Sequence, residues 1–303
     1  MTPTRQGSFH LFRFAGIDLY LHWSWFVIAI IEVNSRRGLY TSSAWNVLEY
    51  LGLFAIVLLH EFGHALACRQ VGGQANQIVL WPLGGVAYVA PPPRPGAMLW
   101  SIAAGPLVNV ALLPILFGLY MLGQHLGWKE TMPDFQKFLW AIASVNAVLL
   151  IFNLLPIYPL DGGQILRSLL WFVLGRARSL MISAYIGFVG VAALIGIALL
   201  TKQIMLGAVA VFILLNCWNG LLQARLLARI AAAPRRPGLA CPACGLAPPA
   251  GAFWGCHRCR ARFDIFEVAA VCPGCQTQFP AVVCPECGAG RPIQDWFRGP
   301  PPL

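Results

Sequence analysis

Six apolar runs of near-spanning length dominate the pattern of hydrophobic and polar positions along this chain. Each run comes close to the ~20 residues that an α-helix needs to cross a bilayer. The runs cover about Ile17–Val33, Leu48–Cys68, Met98–Leu122, Phe138–Leu155, Met181–Leu200 and Ile204–Ala224. The pattern therefore predicts an all-α polytopic membrane protein with about six transmembrane helices.

One segment between the second and third runs favours strands instead of a helix. Residues Ile78–Val89 combine β-branched and aromatic side chains with Pro82 and the Gly84-Gly85 pair, a pattern typical of two short strands around a turn. An ordinary interfacial loop is the alternative. Because a strand edge at membrane depth needs protein or water around it, we expect a small β-hairpin close to the site that the helices enclose.

Composition and charge agree with a multi-pass membrane protein. Hydrophobic residues make up 58% of the chain and charged residues only 11%, against about 25% charged in soluble proteins. The net charge of +10 reflects loop lysines and arginines, so it indicates no nucleic-acid partner. By the positive-inside rule, the distribution predicts that both termini are cytoplasmic. Residues assigned to the inside are Arg5, Arg13, Arg69, Arg94, Arg167, Arg176, Arg178, Arg225, Arg229, Arg235 and Arg236, and those assigned to the outside are Arg36, Arg37, Lys129, Lys137 and Lys202.

A polar motif interrupts the second apolar run. In His60-Glu61-Phe62-Gly63-His64 the histidines lie at i and i+4, so both imidazoles project from one helix face and can bind one zinc ion, with Glu61 as general base. A pair of interior histidines that hydrogen-bond to neighbours is the alternative. Because ionisable groups inside a membrane are costly and usually functional, the motif predicts a hydrolytic zinc site at membrane depth.

A catalytic zinc ion generally takes three protein ligands and keeps one position for water. Asp161 is the best candidate for the third ligand, because it is the only carboxylate between Asp134 and Asp264. Pro156 and Pro159 break the chain just before it, and a glycine pair follows it. Capping of the helix that begins there is the alternative role of this aspartate.

Four motifs resemble those of a known family. In chain order they are His60–His64, Trp81-Pro82-Leu83-Gly84-Gly85, Gly105-Pro106-Leu107-Val108-Asn109, and Asn153 through Leu160-Asp161-Gly162-Gly163. Together, over about Leu48–Arg167, they resemble the site-two protease family of intramembrane zinc metalloproteases, peptidase family M50, in the branch of bacterial sporulation-factor processing enzymes. The resemblance implies that His60, His64 and Asp161 bind one catalytic zinc ion, that Glu61 is the catalytic base, and that three central helices form the core.

The same resemblance implies a membrane-anchored protein substrate that is hydrolysed within or near its transmembrane segment. A helical substrate must first unwind, and we expect the strand edge at about Ile78–Ala90, including Gly84 and Gly85, to bind the extended segment by β-augmentation. Asn153 is expected to hydrogen-bond the unwound backbone or the oxyanion, with interhelical packing as its alternative. For Asn109 we expect structural support.

Eight cysteines follow the last apolar run in four Cys-x2-Cys pairs. Eight thiolates fit two structural zinc sites with four ligands each, in zinc ribbons. Disulfides are the alternative, but they require an oxidising compartment. If neighbouring Cys-x2-Cys pairs share a zinc ion, the first two pairs form one ribbon and the last two form a second. Crossed pairing is the alternative. The cysteines are Cys241, Cys244, Cys256, Cys259, Cys272, Cys275, Cys284 and Cys287.

The domain organisation follows from these boundaries. We expect a membrane metalloprotease domain over residues 1–230 with its core at about 48–167, a linker at 231–240, a double zinc ribbon at 241–290 and a tail at 291–303. The ribbons are expected to dock a protein partner in the cytoplasm, and nucleic acid is the less favoured ligand. One catalytic and two structural zinc ions are expected in all.

Two other functions compete with proteolysis. One is a non-catalytic zinc-binding membrane adaptor whose cytoplasmic ribbons dock a partner, and Glu61 argues against it because a structural zinc site needs no base. The other is a zinc transporter. A single ligand set with a base and no relay of further acidic or histidine residues argues against ion conduction.

Overall fold

The computed structural model describes residues 7–36, 38–81 and 84–297 and, for residues 84–88, the backbone alone. Several residues used above therefore lie outside the described part. They are Arg5 and Arg37 from the charge bias, and Pro82 and Leu83 from the predicted turn.

The chain folds into two compact units. The first comprises Met1–Val173 and Ile182–Asn219, and the second comprises Leu174–Met181 and Gly220–Leu303. The second unit therefore contains a short stretch of a long membrane helix in addition to the cysteine-rich region.

A four-stranded sheet in the order β1-β2-β3-β4 belongs to the first unit. The strands are β1 (Ser8–Phe14), β2 (Ile17–His22), β3 (Gln74–Trp81) and β4 (Gly84–Ala90). β2 and β3 are parallel, and each outer strand is antiparallel to its neighbour. The small β-hairpin predicted around Ile78–Val89 is thus confirmed as β3 and β4.

The first apolar run differs from the prediction. Its beginning forms β2, and most of the rest forms α1 (Ser24–Ser35), whose 12 residues are only ~18 Å long at 1.5 Å per residue. In β2 the buried residues Ile17 and Leu19 alternate with the half-buried Asp18 and Tyr20. This two-residue period is typical of a strand. It is lost when hydropathy is averaged over a window of residues, so the averaged pattern predicts a helix.

The other five runs form helices that are long and apolar enough to cross a membrane, counted over the described residues. Two of them, α3 and α5, begin with a proline in the first turn, where the missing N–H has no helical acceptor. The multi-pass helical architecture is confirmed with five such helices. They are α2 (Ser43–Gln70), α3 (Pro95–His125), α5 (Pro133–Leu154), α6 (Asp161–Thr201) and α7 (Ile204–Ala232), with the single turn α4 (Trp128–Thr131) before α5.

The helices α2 and α3 approach each other closely at Gly63. A Cβ atom added to Gly63 would lie 2.8 Å from the backbone oxygen of Ala104 on α3, a distance that side chains do not tolerate. Small residues permit this approach between membrane helices. Because His60 and His64 lie on either side of Gly63 in α2, the contact fixes where both histidines lie against α3.

A break divides α6 into two helical segments. Gly175 has φ 76° and ψ 172°, which no helical residue adopts and which glycine tolerates best. The first segment begins at Asp161, and the second ends at Thr201. The position of Gly175 falls two residues beyond Val173, where the first compact unit gives way to the second.

The cysteine-rich part of the second unit contains two small hairpins and a 3₁₀ helix at Ile293–Phe297. Strand β5 (Trp254–Gly255) pairs with β6 (Arg262–Phe263), and β7 (Val282–Val283) pairs with β8 (Gly290–Arg291). Trp296 is fully buried in the core that these hairpins share.

The residues that follow α7 are held against this region. The backbone of Arg235 bridges to Pro249, and the Arg236 guanidinium donates to the carboxylates of Asp264 and Glu267, both at 2.7 Å. These contacts tie the start of the cysteine-rich region to its interior.

Candidate metal centres

Three side chains from two helices converge in the first unit. His60 and His64 lie one turn apart on α2, and Asp161 is the first residue of α6. Asp161 Oδ2 lies 3.0 Å from His60 Nε2 and 3.3 Å from His64 Nε2, and the two Nε2 atoms are 3.1 Å apart. The structure therefore brings together all three residues predicted as ligands.

The other nitrogen of each imidazole is hydrogen-bonded, which determines the tautomer. His64 Nδ1 lies 2.9 Å from the carbonyl oxygen of Ser101, and since a carbonyl only accepts, Nδ1 carries the proton. His60 Nδ1 lies 2.5 Å from Asn109 Oδ1. The Nε2 lone pairs of both rings are consequently free to bind a metal ion, the arrangement that metal-ligating histidines usually have.

A pair of buried asparagines orients the acceptor for His60. Asn109 Nδ2 donates to Asn146 Oδ1 at 2.8 Å, and Asn146 Nδ2 donates back to the backbone oxygen of Asn109 at 3.0 Å. Both residues are fully buried, on α3 and α5 respectively. These two hydrogen bonds leave Asn109 Oδ1 facing the imidazole. Asn109 therefore supports a ligand through a hydrogen bond in addition to its packing between helices.

Sequence reasoning missed two of these supporting residues. Asn146 is a polar residue inside a predicted apolar run, and that signal could have identified it. Ser101 contributes a backbone carbonyl, and a carbonyl leaves no trace in the sequence.

The chain before Asp161 is fixed by packing. Ile157 is buried among Val191 of α6 and Ile213 of α7. The Cys217 thiol donates to the backbone oxygen of Tyr158 at 2.8 Å. The N-cap of α6 is Leu160, with no side-chain cap bond, so the Asp161 carboxylate is directed at the histidines and does not cap the helix.

Gly105 of α3 leaves the space that the two histidines occupy. A Cβ atom at this position would lie 2.3 Å from His64 Nε2 and 2.8 Å from His60 Nε2. Any side chain here would therefore displace the imidazoles. This close approach explains why the Gly105-to-Asn109 motif begins with glycine.

The residues present fit a zinc ion. The three ligand atoms, two imidazole nitrogens and a carboxylate oxygen, all lie within 4.8 Å of one another. Zinc accepts this donor set, and three protein ligands leave a fourth position open. Glu61 follows His60 in the chain, and the side chains of His60, Glu61 and His64 are all buried.

The residues predicted to contact substrate are less tightly defined. Asn153 is half-buried near the end of α5, and its role stays a prediction. Gly84 and Gly85 lie in β4, at the edge of the sheet. A separate cavity of about 740 Å³ between α2 and α5 is lined by other residues, including Leu53, Trp140 and Val148.

The eight cysteines form two groups of four in a nested arrangement. The outer cluster contains Cys241, Cys244, Cys284 and Cys287, and the inner cluster contains Cys256, Cys259, Cys272 and Cys275. The sequential pairing considered above is not the one observed. Sulfur–sulfur distances of 3.5 to 3.9 Å within the clusters match the ~3.8 Å expected for thiolates 2.3 Å from one tetrahedral zinc ion.

All four Cys-x2-Cys pairs adopt the same turn. In each, the N–H of the fifth residue donates to the carbonyl of the first cysteine at 2.8 to 3.0 Å. That fifth residue has positive φ, and it is Gly245, Arg260, Gln276 or Gly288. The repeated turn aims both sulfurs of a pair at one point.

One thiol already favours the form that binds zinc. The Thr277 hydroxyl, 3.1 Å from the sulfur, and the Thr277 backbone N–H lower the pKa of Cys275 to about 6. These hydrogen bonds favour the thiolate of Cys275, and only the thiolate ligates metal.

Known proteins resemble the first unit. The model of peptidase family M50 matches residues 49–197. A zinc metalloprotease of Methanocaldococcus jannaschii is 32% identical over 206 residues, which are 68% of this chain and 58% of that protein. Stage IV sporulation protein FB of Bacillus subtilis is 35% identical over 144 residues, 45% of this chain and 47% of that protein.

A solved structure agrees with these relatives. The site-2 protease from Methanocaldococcus jannaschii superposes with a TM-score of 0.52 at 27% identity, over 71% of this chain and 95% of that chain. This chain spans about half the length of the curated relatives that it matches. The matched region contains His60, His64 and Asp161, and on these grounds the chain belongs to peptidase family M50.

Proposed function

We propose that this protein is an intramembrane zinc metalloprotease that hydrolyses peptide bonds of membrane-anchored proteins within or near their transmembrane segments. The observation that supports this most strongly is the convergence of His60 Nε2, His64 Nε2 and Asp161 Oδ2. Both histidines have the tautomer that leaves these nitrogens free for a metal ion.

A bound zinc ion would supply an activated water and polarise the scissile carbonyl. Glu61 takes the proton of the attacking water on a carboxylate oxygen and then delivers it to the amine nitrogen of the leaving peptide. Asn109 and the Ser101 carbonyl hold the imidazoles in place through both steps. Removing Glu61 therefore removes the base while all three ligands remain.

The β4 edge is the proposed binding place for the unwound substrate. Among the described strands β4 pairs with β3 alone, so Gly84–Ala90 can pair with an extended peptide on its other side. β4 also packs against α2, the helix of the two histidines. In this proposal Asn153 hydrogen-bonds the extended peptide or the oxyanion.

Both termini are proposed to be cytoplasmic. Tyr50 of α2 donates to the Trp25 carbonyl at 2.8 Å, and Asn46, one turn earlier, donates to the Val33 carbonyl at 3.4 Å, so α1 runs antiparallel to α2. The sheet then lies on the side where α2 ends, the side with Arg13, Arg69 and Arg94, which the positive-inside rule assigns to the cytoplasm. Two structural zinc ions in the cysteine clusters and a protein partner for that region complete the proposal.

The test compares native cells that express wild type, Glu61→Gln or Glu130→Gln. Glu130 is exposed and lies in α4, away from the described ligands, so it is the matched control for the loss of one carboxylate. Quantitative mass spectrometry of membrane fractions should show a full-length or truncated membrane protein that accumulates only in Glu61→Gln. Identical profiles in all three strains would contradict proteolysis and favour the non-catalytic adaptor.

A further inference from the structure

A glutamate that lies between two cysteines of the outer cluster contacts two other segments of the second unit. Glu286 lies between Cys284 and Cys287, so the turn that presents these sulfurs also fixes Glu286. Its carboxylate accepts from the Arg235 guanidinium at 2.7 Å. Its backbone oxygen accepts from the Arg176 guanidinium at 3.3 Å.

The contact with Arg176 falls at the break in α6. Arg176 directly follows Gly175, whose backbone is not helical. Because glycine has no side chain, Gly175 makes no side-chain contact that could hold the break in one conformation. Such a position absorbs backbone rotation easily. The half-buried Arg176 is therefore well placed to limit that rotation.

Neither Cys-x2-Cys pair of the inner cluster has a glutamate between its cysteines. Its neighbouring arginines, Arg258, Arg260 and Arg262, are exposed. Within this unit the acidic side chains Asp264 and Glu267 pair with Arg236 instead. The two clusters are alike in ligands, and the described contact with Arg176 belongs to the outer one.

We propose that the outer cluster, when it holds zinc, is an anchor for residues 174–181 of α6, which it holds through Glu286 and Arg176. This inference goes beyond the proposed function, because residues 174–181 belong to the same unit as the cysteine clusters and contain none of the candidate catalytic residues. The thiolates of Cys284 and Cys287 fix the turn, the turn fixes the Glu286 carbonyl, and the carbonyl fixes Arg176. Metal loading of the cysteine-rich region thereby restrains this stretch of α6.

Arg176→Gln tests the anchor, and Arg178→Gln is its matched control. Both variants lose one positive charge on the same helical segment, but Arg178 is exposed. In the purified full-length protein, we expect amide hydrogen exchange over residues 174–181 to be about threefold to tenfold faster in Arg176→Gln, the factor expected for one hydrogen bond. Arg178→Gln should match wild type, and zinc content should stay equal in all three.

A conservative variant gives a second reading of the same comparison. Arg176→Lys, which retains a donor, should recover part of the protection that is lost in Arg176→Gln. Equal exchange over residues 174–181 in Arg176→Gln and Arg178→Gln would overturn the proposal.

The role of metal is tested with one cysteine from each cluster. Cys284→Ser should accelerate exchange over residues 174–181, and adding Arg176→Gln to it should have little further effect, because both changes break one connection. Cys256→Ser in the inner cluster should leave this exchange unchanged. Acceleration by Cys256→Ser with the outer zinc ion still bound, or full additivity with Arg176→Gln, would contradict the anchor.

The exchange readout requires no turnover, so it separates this inference from the proposed function. The inactive variant Glu61→Gln should show the same protection of residues 174–181 as wild type. If no substrate is cleaved and the protection still depends on Arg176, the anchor stands and proteolysis fails. If cleavage occurs and Arg176→Gln does not change the exchange, proteolysis stands and the anchor fails.

Discussion

At the scale of single residues, the candidate site is defined by the partners of its imidazoles. The spacing of His60 and His64 in the chain predicts that they share a helix face, and it says nothing of which nitrogen faces the metal. That choice is made by the Ser101 carbonyl and Asn109 Oδ1, both on α3. The ligands and the supporting role of Asn109 could be predicted from the sequence, whereas the Ser101 carbonyl could not, because a backbone carbonyl leaves no trace in the sequence.

We predict that Asn109→Ala weakens binding of the catalytic zinc ion about 10- to 100-fold, the usual effect of removing a partner of a ligating histidine. The change leaves His60 Nδ1 and Asn146 Oδ1 without their present partner atoms. Competition with a chelator of known affinity measures the effect. The same substitution at Asn216, whose side chain bonds within α7, is the control, and equal affinities in the two variants would contradict the prediction.

At the scale of elements, the structure departs from the sequence patterns in two places. The first apolar run forms β2 and α1, because its polar and apolar residues alternate where hydropathy averages them. The four Cys-x2-Cys pairs have the same spacing, so the sequence does not select a partner for each pair. The nested grouping follows from the core around Trp296 and Val282, which brings the first and last pairs together.

The contact of α2 with α3 leads to a prediction for Gly105→Ala. The added methyl group would overlap both imidazoles, so we expect loss of the catalytic zinc ion and of protease activity, with the cysteine clusters still loaded. Zinc content per chain should fall by about one ion, measured by elemental analysis.

Gly118→Ala is the control for that change, because it lies on the same helix with nothing within 4 Å of an added Cβ atom. It should retain both zinc and activity. A Gly105→Ala protein with full zinc content would show that the two helices separate at little cost.

At the scale of the whole molecule, the chain combines a membrane region of peptidase family M50 with a cysteine-rich region that lies beyond the family match at residues 49–197. The membrane unit could be predicted from the sequence because its motifs are local and in order. The connection between Glu286 and Arg176 spans 110 positions of the chain, and no local pattern indicates it.

The turns of the two cysteine clusters imply an order of metal loss. The outer cluster has glycine at its two positive-φ positions, whereas the inner cluster has Arg260 at 61° and Gln276 at 58°. A left-handed conformation costs a residue other than glycine roughly 1 kcal/mol or more, so the inner site forms against a backbone penalty that the outer site avoids. Under stepwise chelation the inner cluster should release zinc first, and Arg260→Gly should delay that release, so the cluster connected to α6 is the last to empty.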